Sequence, residues 1–158
     1  MDVAFHLNVP ADWPQRSAYL CRLLAKAYEA GVRVWVVVAP DEVTALDQAL
    51  WTLPADDFVP HVCADAPPVL RRRAPIVIAA PTDTVEGERA VLVNAQPQWP
   101  TVRDAPRGWA RVVEVVSTDE DDKAAARQRW RRYQAMGCTL VAHDRLRRAA
   151  SAPAEAPS

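Results

Sequence analysis

An α/β fold, with a mostly parallel central sheet and helices on both faces, is predicted by three features of the sequence. Residues 32–40, VRVWVVVAP, form a near-continuous valine-rich run, the pattern of a strand buried on both faces. A strand-like segment (3–9), a helix-like segment (16–30) and that run follow one another within about 38 residues, the span of a right-handed βαβ unit. Apolar runs then recur at 75–81, 89–94 and 110–117.

Each element has a local cause. Residues 3–9 are rich in β-formers. Over 16–30, Tyr19, Leu20, Leu23, Leu24, Ala27 and Tyr28 recur at helical spacing, and Gly31 supplies the stop. Asp41 is placed to cap a second helix over 42–51, with Val43, Leu46 and Leu50 toward the core, and Pro54 ends it. PIVIAAP (75–81), RAVLVN (89–94) and ARVVEVVS (110–117) read as strands. Between them, CADAPPVLRRRAP (63–75) and AQPQWPTVRDAPRG (95–108) read as exposed, Pro-rich loops. A last helix is expected over 119–136, closed by Gly137 and followed by the short apolar run CTLVAH. Residues 1–147 are expected to form one domain, and 148–158, small and Pro-containing, a disordered tail.

Composition narrows the function classes. The chain has 158 residues, 50% hydrophobic and 25% charged, which suits one soluble globular core. A net charge of −1 excludes a nucleic-acid binder whose whole surface is basic, but not a local basic patch. Cys21, Cys63 and Cys138 are far apart and without CxxC spacing, so they read as buried reduced thiols. His6, His61 and His143 are equally scattered, and neither set reads as a zinc site. The first ten residues are too polar for a signal peptide, and no apolar run reaches the roughly 20 residues of a membrane span. The expectation is a cytoplasmic protein without membrane contact.

The layout is nucleotide-binding-like, but without a nucleotide site. The loop after the first strand, NVPADWPQR, has no glycine, and the four glycines of the chain (31, 87, 108, 137) cannot form a P-loop or a GxGxxG turn. No cofactor is expected. The acid pairs Asp56/Asp57 and Glu86/Glu88 read as solvated loop residues. His61 lacks a Ser or Cys partner and reads as structural or interfacial. A small α/β enzyme acting on a phosphorylated or nucleic-acid substrate, built on Asp56, Asp57 and His61, is the alternative from another class.

The last helix is more informative. Ser117 and Glu120 have capping-box spacing, and Asp119 to Asp122 lie where the helix dipole favours acids. Ala126, Trp130 and Tyr133 form an apolar stripe at i, i+4, i+7, with Lys123, Arg127 and Arg131 beside it. An aromatic wall next to three cations suits a ligand with an apolar group and a carboxylate, such as a peptide C-terminus ending in an aromatic residue. Spacing alone leaves that reading and a solvated cationic face equally open. Arg129 and Arg132, off the row, read as solvated. Direct single-stranded nucleic-acid binding is the weaker option on a net-acidic chain.

The stretch LDQALWTLPADDFVPH (46–61) presents Trp51 and Phe58 at a helix exit stiffened by Pro54 and Pro60. Two such aromatics resemble interface anchors, although the residues by themselves favour rings that close the core edge. The stretch is similar to the signature of the chi subunits of bacterial DNA polymerase III, clamp-loader accessory proteins. That pattern is roughly L-D-x-A-L-W-x-x-P-x-x-x-F-V-P-H. The strand-helix-strand start and the late K-x-x-x-R-x-x-W-R-x-Y helix also agree, so the resemblance covers about residues 1–142.

The resemblance implies a non-enzymatic adaptor. Chi-family proteins bind the psi subunit, which links them to the clamp loader, and the acidic, Phe-ending tail of the single-stranded DNA-binding protein. DNA contact is then indirect. Carried over by position, Trp51 and Phe58, with Pro54, Val59 and Pro60 around them, match the psi-binding surface. In some relatives the same surface engages an XPD-like helicase. Lys123, Arg127, Trp130 and Arg131 match the tail-binding helix, with Trp130 where Tyr is frequent and Arg131 where Lys is common.

Overall fold

A computed structural model of the chain describes residues 1–85, 89–101 and 108–146. Strands β1 (Asp2–Val9), β2 (Val34–Val38), β3 (His61–Cys63), β4 (Ile76–Ala79), β5 (Val91–Ala95), β6 (Arg111–Ser117) and β7 (Thr139–Asp144) form one seven-stranded sheet. Its order is β3-β4-β2-β5-β6-β1-β7, and every pairing is parallel. Helices α1 (Trp13–Glu29), α2 (Val43–Trp51), α3 (Pro68–Arg73) and α4 (Glu120–Ala135) connect the strands.

The period-two alternation of strands divides the core. Val34, Val36 and Val38 of β2 pack with Leu20 and Leu24 of α1 and Leu46 and Leu50 of α2. Trp35 and Val37 point the other way, into a cluster with Phe5, Ala126 and Tyr133, the last two from α4. Every residue of β2 is buried, as the valine run requires, and helices cover both faces, as predicted. Gly31 and Gly137 adopt φ of 73° and 82° just past α1 and α4, a conformation that favours glycine at helix ends.

Three expectations are corrected, and a fourth segment is defined more closely. Residues 63–75 are not all loop: β3 ends at Cys63, and Pro67 and Pro68 start α3, because a proline in the first turn needs no N–H partner. The predicted Asp41 cap is absent. Residues Pro40–Glu42 make a single 3-10 turn, Glu42 takes the cap position without a side-chain bond to the helix, and its carboxylate meets Arg16 at 3.3 Å. The Ser117/Glu120 capping box is replaced by acids. Asp119 accepts from the Asp122 backbone N–H at 3.0 Å, and Asp122 accepts from the Ser117 N–H at 2.7 Å. The run after Gly137 is a full edge strand, β7, beside β1. Glu86, Glu88, residues 102–107 of the second Pro-rich loop and the tail from 147 lie outside the described residues.

Candidate functional site: two surfaces at opposite edges of the sheet

Helix α4 is oriented by a buried polar network. Glu114 lies mid-strand in β6 and is fully buried. It accepts from Arg129 Nε at 3.0 Å, the Tyr133 hydroxyl at 2.7 Å and Asn94 Nδ2 at 2.9 Å. Arg129 also donates to the Pro97 carbonyl. Burial pushes the Glu114 carboxyl up to about 7, against the pull of Arg129, Tyr133 and Asn94 in the other direction. Arg129, expected to be solvated, is therefore an internal anchor, because it lies on the far flank of the Ala126/Tyr133 stripe and meets a buried acid. Its signal in the sequence was Glu114 itself, the acid in the middle of the apolar run VVEVV. Arg132 is exposed, as expected, and its guanidinium lies 3.9 Å from the Trp99 ring centre.

With Arg129 and Tyr133 turned inward, the Lys123/Arg127/Arg131 row is turned along the outer side of the helix. It borders a groove of about 540 Å³. Phe5, Leu7, Val116 and Ala142 give the groove an apolar sheet side, and Ala126 and Trp130 an apolar helix side. Trp130 meets Phe5 edge-on with centroids 5.1 Å apart, which holds the indole upright as a wall. Asn8 completes the lining. It has φ of 59° where β1 breaks register between His6 and Val9, and it donates to Asp144 at 2.8 Å, tying β1 to the β7 edge. Arg127 and Arg131 are exposed, and Lys123 is half-buried with only a 3.9 Å approach to the exposed Glu120. All four predicted residues of α4 thus line one groove, with cations at its rim and apolar surface at its floor.

The second surface lies at the opposite edge, by β3. Trp51, at the end of α2, is 60% exposed, and Phe58 is 39% exposed. Their rings sit 5.2 Å apart and both lean on His61. Pro54 and Pro60 flank a 3-10 turn over Ala55–Asp57 that returns the chain to β3. Val59, predicted at this surface, is buried in the α1/α2 core and borders the cleft that begins at Phe58. A cleft of about 610 Å³ runs from Phe58 and Asp57 to α1, bordered by Arg22, Lys26 and Tyr28.

Asp56, Asp57 and His61, the residues of the catalytic alternative, form no hydrogen bond or ion pair with one another. His61 is buried and committed on both ring nitrogens, to the Val59 carbonyl at 2.7 Å and Asp47 at 3.0 Å, while Asp56 and Asp57 are exposed. Burial pushes the Cys21 thiol up, and burial with Asp47 pushes Cys63 up to about 11, so neither is a ready thiolate. Among the described residues no group of three or more His, Cys, Asp or Glu side chains is placed to hold a metal. No described helix is long and apolar enough to cross a membrane.

One titrating group lies close to the groove. His6 contacts the Tyr19 hydroxyl and stacks edge-on with His143 of β7. Burial, with positive charge from His143, Arg111 and Lys26, lowers His6 to about 4. Between about 6.5 and about 4 the unfolded chain therefore binds the proton better, so His6 withdraws stability as pH falls through that window. Glu114, raised in the fold, acts in the opposite sense between 4.5 and about 7. The expected result is that His6→Gln gains stability relative to the parent as pH drops from 6.5 to 4, read from urea unfolding at each pH. A pH-independent difference would contradict the assignment.

Comparison with known proteins identifies the family. The family model for the DNA polymerase III chi subunit, HolC, matches residues 1–141. The DNA polymerase III subunit chi of Escherichia coli (strain K12) is 32% identical over 123 residues, covering 77% of this chain and 80% of that protein. The subunit of the same name from Pseudomonas aeruginosa PAO1 is 28% identical over 142 residues, covering 89% and 94%. With the match spanning the whole sheet from β1 into β7, this chain belongs to the DNA polymerase III chi subunit family.

Proposed function

We propose that the chain is a non-catalytic adaptor of the replicative polymerase. In this reading the α4 groove takes the acidic, Phe-ending C-terminal tail of the single-stranded DNA-binding protein, and the Trp51/Phe58 edge takes the psi subunit of the clamp loader. The observation that carries it is the groove itself: Lys123, Arg127 and Arg131 stand over an apolar floor closed by Trp130 and Phe5. The terminal carboxylate pairs with the cations, and Arg127 offers a planar fork for it. The terminal phenyl ring fills the apolar floor, and upstream acids stay over the basic rim. The two surfaces lie at opposite edges of one sheet, which supports a reading in which both partners bind together. DNA contact is indirect in this reading.

Arg127→Ala is expected to weaken tail binding by about 1–3 kcal/mol through loss of a charge-assisted pair. Folding should be unchanged, because Arg127 is exposed. Fluorescence anisotropy with a labelled acidic peptide ending in Phe measures the first, and thermal melting the second. Unchanged affinity would refute the role of the row, and a sharp drop in melting temperature would make Arg127 structural.

A further inference from the structure

We infer that the β3-edge docking surface does not stop at Trp51 and Phe58 but continues across β3 onto α3, where it receives an acidic, apolar-studded segment of the same partner. The inference rests on the psi-docking reading above and adds a second half to that surface. β3 is the edge strand of the sheet and only three residues long, His61–Cys63. Helix α2, which ends in Trp51, packs on one face of the sheet, and the chain around α3, through Ala64 and Ala74, packs on the other. The two helices therefore flank the same edge. Each carries uncovered apolar side chains, Trp51 at 60% on one side and Val69 at 49% and Leu70 at 50% on the other. A six-residue helix that turns two large aliphatic residues to water has an apolar surface in need of a partner.

The charge of α3 states the chemistry of that partner. Arg72 and Arg73 are exposed and form no ion pair with a described residue. They stand at the C-terminal end of α3, where Arg33 and Arg89 already supply the cations that the helix end attracts. Arg33 donates to the carbonyls of Arg72 and Ala74, and Arg89 to those of Arg71, Ala74 and Pro75. Two guanidinium groups thus share the Ala74 carbonyl, with no described carboxylate between them. The helix end is satisfied by Arg33 and Arg89, so the charges of Arg72 and Arg73 are surplus among the described residues. The same two side chains, from residues just before β2 and β5, hold the C-terminal end of α3 and so present Leu70 and the surplus cations on a fixed frame. Apolar anchors beside unpaired Arg fit a protein segment with carboxylates between apolar residues.

The test is calorimetric titration of the full-length chain with the psi subunit, using four proteins: the parent, Trp51→Ala, Leu70→Ser, and the double variant Arg72→Gln/Arg73→Gln. Loss of about tenfold or more in affinity for Leu70→Ser and for the double Arg variant, with the latter loss shrinking at high salt, is the expected result. Arg72→Glu/Arg73→Glu should lose more, and the milder Gln pair keeps the test valid where acids at the helix end melt α3 in circular dichroism. Loss in Trp51→Ala with unchanged binding in the α3 variants would overturn the extension and leave the docking reading standing. No binding by the parent chain would overturn both. A parallel titration with a single-stranded oligonucleotide covers the remaining polyanion. If the Arg variants lose affinity for the oligonucleotide but not for psi, the surface is a phosphate contact and the assignment to a protein segment is wrong.

Discussion

Replacing Arg129 with alanine is expected to remove about 3–5 kcal/mol from the unfolding free energy above a pH of about 7, where Glu114 is ionised, the cost of leaving a buried charge without its partner. Glu114 has no exposure, and its other partners are the neutral Tyr133 and Asn94. With the guanidinium gone, the carboxyl must take up a proton or stay charged in an apolar surrounding, and Asn94 and Tyr133 must adjust. The variant also frees α4 to rotate, so tail binding should fail together with stability. Urea unfolding measures the loss. The companion Arg129→Met/Glu114→Leu removes both charges at once and should recover most of it, because a buried pair replaced by apolar groups is often neutral. A loss under about 1 kcal/mol in Arg129→Ala would show that water reaches the site and that the pair does not orient the helix.

The second large effect concerns the other edge. Trp51→Ala should weaken psi binding by roughly 2 kcal/mol or more, about 30-fold, while leaving thermal stability close to the parent. The indole is mostly exposed and leans on Phe58 and His61 rather than on the core. Phe58→Ala should behave alike, and the double variant should cost less than the sum, because the rings support each other at 5.2 Å. Unchanged affinity in both single variants would move the partner elsewhere.

Much of this was legible in the chain. The valine run of 34–38 identified a strand buried on both faces, and it is fully covered. The i, i+4, i+8 row of Lys123, Arg127 and Arg131 set those cations on one side of α4, and the structure gives that side a groove. The apolar floor was not legible, because Phe5, Leu7 and Ala142 come from two strands more than 100 residues apart in sequence and meet only when β1 pairs with β7. Arg129 was misread for a related reason: helical spacing shows which side a residue occupies but not what waits there, and its acid lies on β6. Val59 was placed among the contact residues by the motif around it, and its packing against α1 and α2 at the border of the cleft was not legible from the motif. Helix α3 was hidden by its prolines, which mark a loop in composition and a helix start in position.

The central claim, that the α4 groove reads a peptide's terminal carboxylate, is tested most directly by one titration. A labelled acidic peptide of about nine residues ending in Phe is compared with the same peptide amidated at its C-terminus, both by fluorescence anisotropy against the full chain. Binding in the micromolar range, about −8 kcal/mol, that is lost on amidation is the predicted result. Equal binding of the two peptides, or none by either, would contradict it and leave Lys123, Arg127 and Arg131 as a solvated face.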